Sequence, residues 1–289
     1  MPTTEQKDQY YKYYPSTILA AITAALFGLL SVLHLFQLVR KRTWYFIPFF
    51  CGCLLEMIGY GARSINASKT PDWTLVLYII ETLFILLAPA LLAASIYMIL
   101  GRVILRLDAG HLSWVRPKWL TKLFVTGDVI SFVTQLAGGG ILASAKDKKG
   151  NDMGKLVIII GLGIQLIFFG FFFVVTIAFH ERIRRQPTQR SHDSSIPWRS
   201  TIFVLYAVST LIMVRSIFRV IEYAMGKDGI LMSNEVYIYV FDAVLIFICA
   251  AAFVIWHPSR AVSADRQRKI SGEIELEEAT TQTVFERRK

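Results

Sequence analysis

The sequence predicts an all-α polytopic membrane protein, a bundle of seven transmembrane helices. The 289-residue chain is 54% hydrophobic and has a mean hydropathy of +0.49. Only 18% of its residues are charged, which is fewer than in ordinary soluble domains of this size. Seven apolar stretches recur along the chain, each close to the ~20 residues that a helix needs to cross a ~30 Å hydrocarbon core.

Each predicted span follows from an apolar stretch and from the polar residues that bound it. A polar, tyrosine-rich segment, 1–15, precedes the first span, and clustered tyrosines are typical of the membrane interface. We expect spans at 16–39, 44–65, 73–101, 120–143, 156–179, 200–222 and 236–256. These spans form a membrane domain over 16–257. The polar remainder, 258–289, is expected to be a mobile cytoplasmic tail.

The distribution of lysine and arginine predicts the orientation of the bundle. The connections after the first, third and fifth spans, with the residues just after the seventh, hold about twice as many basic residues as the opposite side. Because cytoplasmic loops carry this excess, we expect the N-terminus outside and the C-terminus in the cytoplasm. A glycosylation sequon beginning at Asn66 falls in an outer connection and agrees. The loop 144–155 fits this orientation least well, because it is predicted to lie outside and yet carries several lysines.

The overall charge and the short motifs exclude several other functions. The net charge of +10 does not indicate nucleic-acid binding, because the basic residues gather at the ends of apolar stretches. The three cysteines lie inside apolar stretches and are expected to be packing residues. The stretch 150–156 is similar to a phosphate-binding loop but is too short and lacks its Ser or Thr. We therefore expect no cofactor and no metal.

The sixth span carries the strongest functional signal. Arg215, Arg219 and Glu222 recur at i, i+4 and i+7, so they lie on one face of the helix. An arginine near the middle of the bilayer costs ~3 kcal/mol even on the most lenient scale. Two arginines on one face therefore need partners, water or a function.

Polar residues of other spans are expected to meet this face. The further candidates for substrate binding or gating are Glu56, Arg63, Glu81, Asp128, Gln135 and Asp242. The predicted orientation places Asp128 in the inner half and Arg63, Glu81 and Asp242 in the outer half, where we expect them to be partners of the sixth span. We therefore predict a polar chamber that opens toward the outer leaflet. In this group the acids outnumber the arginines, so a surplus carboxylate can hold a proton or a cationic headgroup. The alternative is that the charge pairs only fix helix register.

Two groups of residues predict local packing or hinge motion. Pro89 lies inside the third span, where a proline frees a backbone carbonyl and kinks the helix. Gly138, Gly139 and Gly140 lie in the fourth span, where small residues allow helices to approach closely. These residues have two interpretations: a static kink with close helix packing, or a hinge along a substrate path.

Several of these residues occur together in one known family. They include Glu56 to Arg63, Pro89 with Arg102, Asp128 with Gln135 and the three glycines, Arg215 to Glu222, Asp242, and His257 with Pro258. Over about 13–260 the chain resembles the fungal RTA-like lipid-translocating exporter family. The resemblance implies seven spans and roles in lipid homeostasis and in resistance to amphiphilic toxins. It also implies a plasma-membrane location, with membrane lipids as partners and no enzymatic activity.

Three functions remain open at this point. In a transporter of sphingoid-base-like or sterol-like amphiphiles, an amine headgroup enters among the acids, while the arginines pair with acids or bind phosphate. A seven-helix lipid or stress sensor is the first alternative, although the usual receptor motifs of the third and seventh helices are missing. An intramembrane zinc hydrolase that uses His34, His180 and His257 with Asp128 is the second. The transporter is the preferred hypothesis.

Overall fold

The computed structural model describes residues 13–70, 72–145, 147–193, 196–225 and 234–259. Within these ranges, seven helices are long and apolar enough to span a membrane, which confirms the predicted all-α class. They are α1 (Thr17–Lys41), α2 (Ile47–Ser68), α3 (Leu75–Arg106), α4 (Pro117–Ser144), α5 (Lys148–Arg185), α6 (Trp198–Met225) and α7 (Glu235–Ile255). The orientation and the domain limits stay predictions. Most of the predicted N-terminal segment, 1–12, and of the tail, 260–289, lies outside the described residues.

Consecutive helices pack against one another, and α7 closes the bundle against α1 and α6. The central helix is α3, because 67% of its most apolar window is buried, against 28% for α1. Aromatic rings fill the space beside it: Tyr97 of α3 lies 4.6 Å from the ring of Phe172, measured between centroids. The outer side of α1 exposes apolar side chains such as Ile18 and Val32, as a lipid-facing helix does.

Glycines let α2 approach α3 closely. A methyl carbon added at Gly59 would lie 2.8 Å from the side chain of Ile85, and one at Gly52 would lie 3.0 Å from the carbonyl oxygen of Ala88. Both distances are too short for a side chain without movement of α3. The close contact brings the polar residues of α2 next to those of α3.

Only the first of the three consecutive glycines in α4 is a packing residue. A methyl carbon at Gly138 would lie 2.8 Å from the backbone nitrogen of Ile158 and 2.9 Å from the carbonyl oxygen of Gly154, both on α5. At Gly139 and Gly140, no described atom beyond the neighbouring turns of α4 lies within 4 Å of the position of such a carbon. Of these three glycines, Gly138 is therefore the one that faces α5, because α5 touches a single face of α4.

Helix α5 begins earlier than the sequence predicted. Its first residue is Lys148, whereas the predicted span began at 156, so most of the lysine-rich loop 144–155 is helical. Asp147 caps the helix by accepting a hydrogen bond from the backbone N–H of Gly150 at 3.1 Å. The helix has 38 residues and is therefore about 57 Å long, so its ends extend beyond a hydrocarbon core of ~30 Å.

The sequon asparagine has a structural partner. Asn66 is fully buried, and its Oδ1 accepts hydrogen bonds from the backbone N–H of Thr74 at 2.8 Å and from its hydroxyl at 3.3 Å. The side chain thus joins the end of α2 to the start of α3. Since a glycosylated asparagine must reach solvent, this geometry removes the sequon as support for the predicted orientation.

Candidate functional site

The charged face of α6 is buried against α7. Arg215 is 1% exposed, and its Nε donates to Oδ1 of Asp242. The other oxygen of Asp242 accepts from Nη2 of Arg219. Arg219 also donates from Nη1 to Oε2 of Glu222 at 3.0 Å. These four residues, called the deep cluster below, form one buried network in which two positive charges balance two negative ones.

A proline supplies the second acceptor of Arg215. Pro89 has no N–H, so the carbonyl of Ile85, four residues earlier in α3, lacks the donor that a regular helix provides. Nη2 of Arg215 donates to this oxygen at 3.0 Å. The freed carbonyl predicted from Pro89 therefore binds an arginine, and Arg215 joins α3, α6 and α7.

Asp242 lies in an irregular turn of α7. Residues Tyr239–Ala243 form a π-helical turn between two α-helical segments, Glu235–Ile238 and Val244–Ile255. Turns of this kind are rare and recur at functional sites, because the additional residue in the turn redirects the side chains around it. Here the turn holds a carboxylate whose two oxygens each face a different arginine of α6.

Helices α2 and α7 each carry a charged residue, a tyrosine and a second charged residue at the same spacing, and the two helices run in opposite directions. The six residues are Glu56, Tyr60 and Arg63 of α2 and Glu235, Tyr239 and Asp242 of α7. Because the two helices are antiparallel, these residues meet in three layers. Arg63 contacts Glu235 at 3.1 Å, and the ring of Tyr60 stacks on Tyr239 with centroids 5.9 Å apart. Glu56 lies close enough to Asp242 for the two acids to interact electrostatically. An aromatic layer thus separates two charged layers.

The outermost of these layers surrounds Arg63. Its Nη1 donates to Oε1 of Glu81, and its Nη2 donates to the hydroxyl oxygen of Tyr13 at 2.7 Å and to Glu235 at 3.1 Å. The rings of Tyr13 and Tyr239 each lie 5.8 Å from the guanidinium carbon, within the range of cation–π attraction. Burial raises the pKa of the Tyr13 phenol, although the adjacent Arg63 opposes the shift, so the phenol stays neutral. We call Tyr13, Arg63, Glu81 and Glu235 the end cluster.

Glu235 is a site residue that the sequence reasoning missed, because the predicted span began one residue later. Its carboxylate also accepts the backbone N–H of Ser16, at 2.9 and 3.1 Å, and the hydroxyl of Tyr239 at 3.3 Å. The end cluster therefore ties the start of α1 to α2, α3 and α7. Two signals pointed to this residue: Asn234 before it is a helix cap, and Asp242 follows one heptad later.

The partners of the α6 charges differ in part from those predicted. Asp242 pairs with both arginines of α6, as the sequence led us to expect. Arg63 and Glu81 instead pair with each other, on the far side of the tyrosine layer from Asp242. The reason is that the tight α2–α3 contact at Gly59 brings these two side chains together, while the tyrosine layer lies between them and α6.

Two other candidates lie away from both clusters. Gln135 donates to the hydroxyl oxygen of Ser131 at 2.6 Å and to Gln165 of α5 at 3.3 Å, and Ser131 donates to the carbonyl of Gly161 at 2.6 Å. Asp128 is buried beside Tyr97 of α3. Their described contacts hold α4 against α5 and α3, not against the deep cluster.

The residues of the zinc hypothesis do not converge. His34 contacts the carbonyl oxygen of Ala250 at 3.1 Å, His180 contacts the Tyr206 hydroxyl at 3.0 Å, and His257 contacts the Ser259 hydroxyl at 2.9 Å. In the part of the chain that the structure describes, no three His, Cys, Asp or Glu side chains are grouped so that they could hold a metal ion. The proposed ligand set, with Asp128, is therefore wrong.

Comparison with known proteins identifies relatives over most of the chain. The family model described as RTA1-like protein matches residues 49–265, a range that contains all the charged residues of both clusters. Protoporphyrin uptake protein 1 of Saccharomyces cerevisiae is 39% identical over 217 residues, covering 75% of this chain and 70% of that protein. The probable lipid transporter atnI of Emericella nidulans is 30% identical over 269 residues, which cover 87% of this chain and 68% of that protein. The sphingoid long-chain base transporter RSB1 of S. cerevisiae is 25% identical over 268 residues, which cover 82% of this chain and 70% of that protein. No solved structure matches.

Proposed function

This chain belongs to the RTA1-like family of membrane proteins, and we propose that it transports lipids or other amphiphilic molecules across the membrane. Relatives named as a probable lipid transporter and as a sphingoid long-chain base transporter support this class of function. Their names also agree with a function that is not enzymatic. Seven apolar helices make the chain an integral multi-pass protein, and we propose the plasma membrane as its location.

The observation that carries the proposal is the deep cluster. Four charged side chains lie inside the bundle, at most 12% exposed, where α3, α6 and α7 meet. Replacing a buried ion pair by apolar residues is often neutral or favourable, so stability alone gives little reason for such a network in a membrane. Ionisable groups at this depth instead mark substrate and ion pathways.

The chemistry of the cluster suits a charged headgroup attached to an apolar tail. Asp242 and Glu222 offer carboxylates to an ammonium group, while Arg215 and Arg219 offer guanidinium groups that bind carboxylate or phosphate in a bidentate way. The relatives are named for a base and for a porphyrin, which are amphiphiles of different charge. A network with both signs of charge can exchange one internal pair for a pair with either kind of headgroup.

The end cluster is the part of the bundle that we propose as the gate of the transport path. Arg63 binds groups from α3, from α7 and from the segment before α1, so it holds three parts of the chain together at one end of the bundle. We propose that this arginine acts as a gate. Its separation from Glu81 and Glu235 opens the polar chamber toward what the basic-residue distribution predicts to be the outer leaflet.

Reconstitution of the purified chain in vesicles tests this function. A fluorescent lipid is placed in both leaflets, and a membrane-impermeant reductant bleaches the outer one. We expect the protein to increase the fraction that becomes bleached, relative to protein-free vesicles. Arg219→Gln should abolish the increase, and Arg185→Gln, a change at an exposed pair with Glu181, serves as the matched control. Binding of the lipid without translocation would contradict transport and favour the lipid or stress sensor.

A further inference from the structure

Glu56 lies near the deep cluster and differs from the acids of both clusters in its hydrogen bonding. It is 1% exposed, and among the described residues neither of its carboxyl oxygens has a hydrogen-bond partner. By contrast, both oxygens of Asp242 bind arginine, and Glu222 and Glu81 each bind one arginine. Glu56 is thus a fully buried acid for which the described part of the chain supplies no hydrogen-bond donor.

The charges around Glu56 are already balanced without it. The groups that face it are Asp242 of α7, Arg215 and Arg219 of α6, and Tyr60 and Cys53 of its own helix. The two arginines are neutralised by Asp242 and Glu222, to which they are bound. The acid of the neighbouring α3, Glu81, is bound to Arg63. An ionised Glu56 would therefore add one uncompensated negative charge to a neutral network.

An uncompensated charge at this depth is not tolerated. Removing an ion from water costs several kcal/mol even after the protein relaxes, and only a partner of opposite charge repays that cost. The repulsion from Asp242 adds to the cost. Glu56 must consequently carry a proton or lie against a cation, and the two states exclude each other because they use the same oxygens.

We propose that Glu56 is an exchange site at which a proton and the cationic headgroup of an amphiphile replace one another. When the ammonium group arrives, the carboxyl O–H bond breaks, the proton leaves to the water on that side, and the carboxylate pairs with the ammonium. On the opposite side a proton from water takes the place of the departing ammonium. One positive charge moves in each direction, so the exchange is electrically neutral.

This inference rests on the proposed transport function and specifies its driving force and substrate class. A proton gradient would drive export of a cationic amphiphile, and one pH unit would support about a tenfold ratio of the amphiphile across the membrane. Since no proton is exchanged with a neutral amphiphile, the gradient would not drive its transport.

Competition between protons and a permanent cation tests the inference. The probe is a fluorescent long-chain trimethylammonium amphiphile, whose charge does not depend on pH, and the control probe carries a hydroxyl headgroup on the same chain. Binding to the full-length protein in detergent is measured from pH 5 to pH 8. With the wild type, we expect binding of the cationic probe to weaken with falling pH, by up to about tenfold per unit, because one proton competes. We expect binding of the hydroxyl probe not to change.

Two variants test whether the pH dependence of binding arises at Glu56. Glu56→Gln keeps the size of the side chain, and we expect it to remove the pH dependence. Glu181→Gln, at an exposed position on α5, should leave the pH dependence unchanged. If Glu56→Gln does not fold, proton release from the wild type is measured in weakly buffered solution when the cationic probe is added. Release of protons supports the exchange, and binding of the probe without proton release overturns it.

The outcomes separate this inference from the function on which it rests. Wild-type protein that moves labelled lipid in vesicles, but binds the cationic probe equally at every pH, overturns the exchange at Glu56 and leaves transport intact. Wild-type protein that moves no amphiphile refutes the proposed function itself.

Discussion

Arg215 of α6 donates a hydrogen bond, 3.0 Å long, to the carbonyl oxygen of Ile85 in α3. This oxygen is available because the residue four positions later is Pro89, which has no N–H to offer it. The defect in one helix is therefore the binding site for a charge on another. Since Nε of the same guanidinium binds Asp242 of α7, Arg215 also fixes how α6 and α7 sit against the central helix.

Pro89→Ala tests whether the free carbonyl has a function. Alanine restores an N–H that can bond to Ile85, so the helix becomes more regular and Arg215 loses its acceptor. We expect the thermal unfolding temperature to stay equal or rise, while lipid translocation in vesicles falls severalfold. Pro48→Ala is the matched control, because a proline in the first turn of a helix displaces no hydrogen bond. Unchanged translocation by Pro89→Ala would mean that the contact with Ile85 is only structural.

Apolar replacement of the deep pair separates stability from transport. Asp242→Leu alone leaves Arg215 buried without its acid, and we expect a loss of about 3–5 kcal/mol of stability. The double variant Arg215→Met with Asp242→Leu removes both charges, and its stability should return to near that of the wild type. We expect this double variant to fold, by size-exclusion chromatography and thermal unfolding, yet to move no lipid. Normal translocation by the double variant would show that the pair only sets helix register.

The sequence predicted the spans well because helix length and apolar content depend on local composition. It also selected the charges of α6 and their partner Asp242, since three charges on one helix face have few ways to be satisfied in a membrane. The start of α5 was missed because a capping aspartate and the packing of Gly154 on α4 extend that helix into a polar segment.

The layered arrangement of α2 and α7 could not be predicted without knowing which helices face each other. The shared spacing from Glu56 to Tyr60 to Arg63 and from Glu235 to Tyr239 to Asp242 is visible in the sequence, but it acquires meaning only through the antiparallel contact. The π-helical turn that carries Asp242 was not predicted from the sequence either. The pairing of Arg63 with Glu81 depends in the same way on a close approach at Gly59.

Removing Arg63 should open the end of the bundle. Arg63→Ala removes the guanidinium that Glu81 and Glu235 share, so the two carboxylates repel each other, and α3 and α7 should separate and admit water. Cys53 is a natural reporter, because it is fully buried and lies near Glu56. In a Cys51→Ser background, we expect a membrane-impermeant thiol reagent to label Cys53 severalfold faster in Arg63→Ala than with Arg63 present.

The control for this labelling is Arg185→Ala, which removes an exposed arginine at the last residue of α5, away from the end cluster. Labelling of Cys53 should remain slow in this variant. Equal labelling rates with and without Arg63, in protein that is folded, would exclude Arg63 as the gate and would leave it as a structural tie between α2, α3 and α7.

Adjacent glycines of α4 offer a matched pair of substitutions. At Gly138 a methyl carbon would lie 2.8 Å from the backbone nitrogen of Ile158, so Gly138→Ala must push α5 away, and we expect a loss of about 1–3 kcal/mol of stability. At Gly139 a methyl carbon would meet no described atom within 4 Å outside its own helix. Gly139→Ala should therefore increase the stability by up to ~1 kcal/mol through helix propensity. Thermal unfolding in one detergent compares the two variants. If both were equally destabilising, Gly139 would also have to face α5, which would require α4 to be rotated about its axis relative to the described structure.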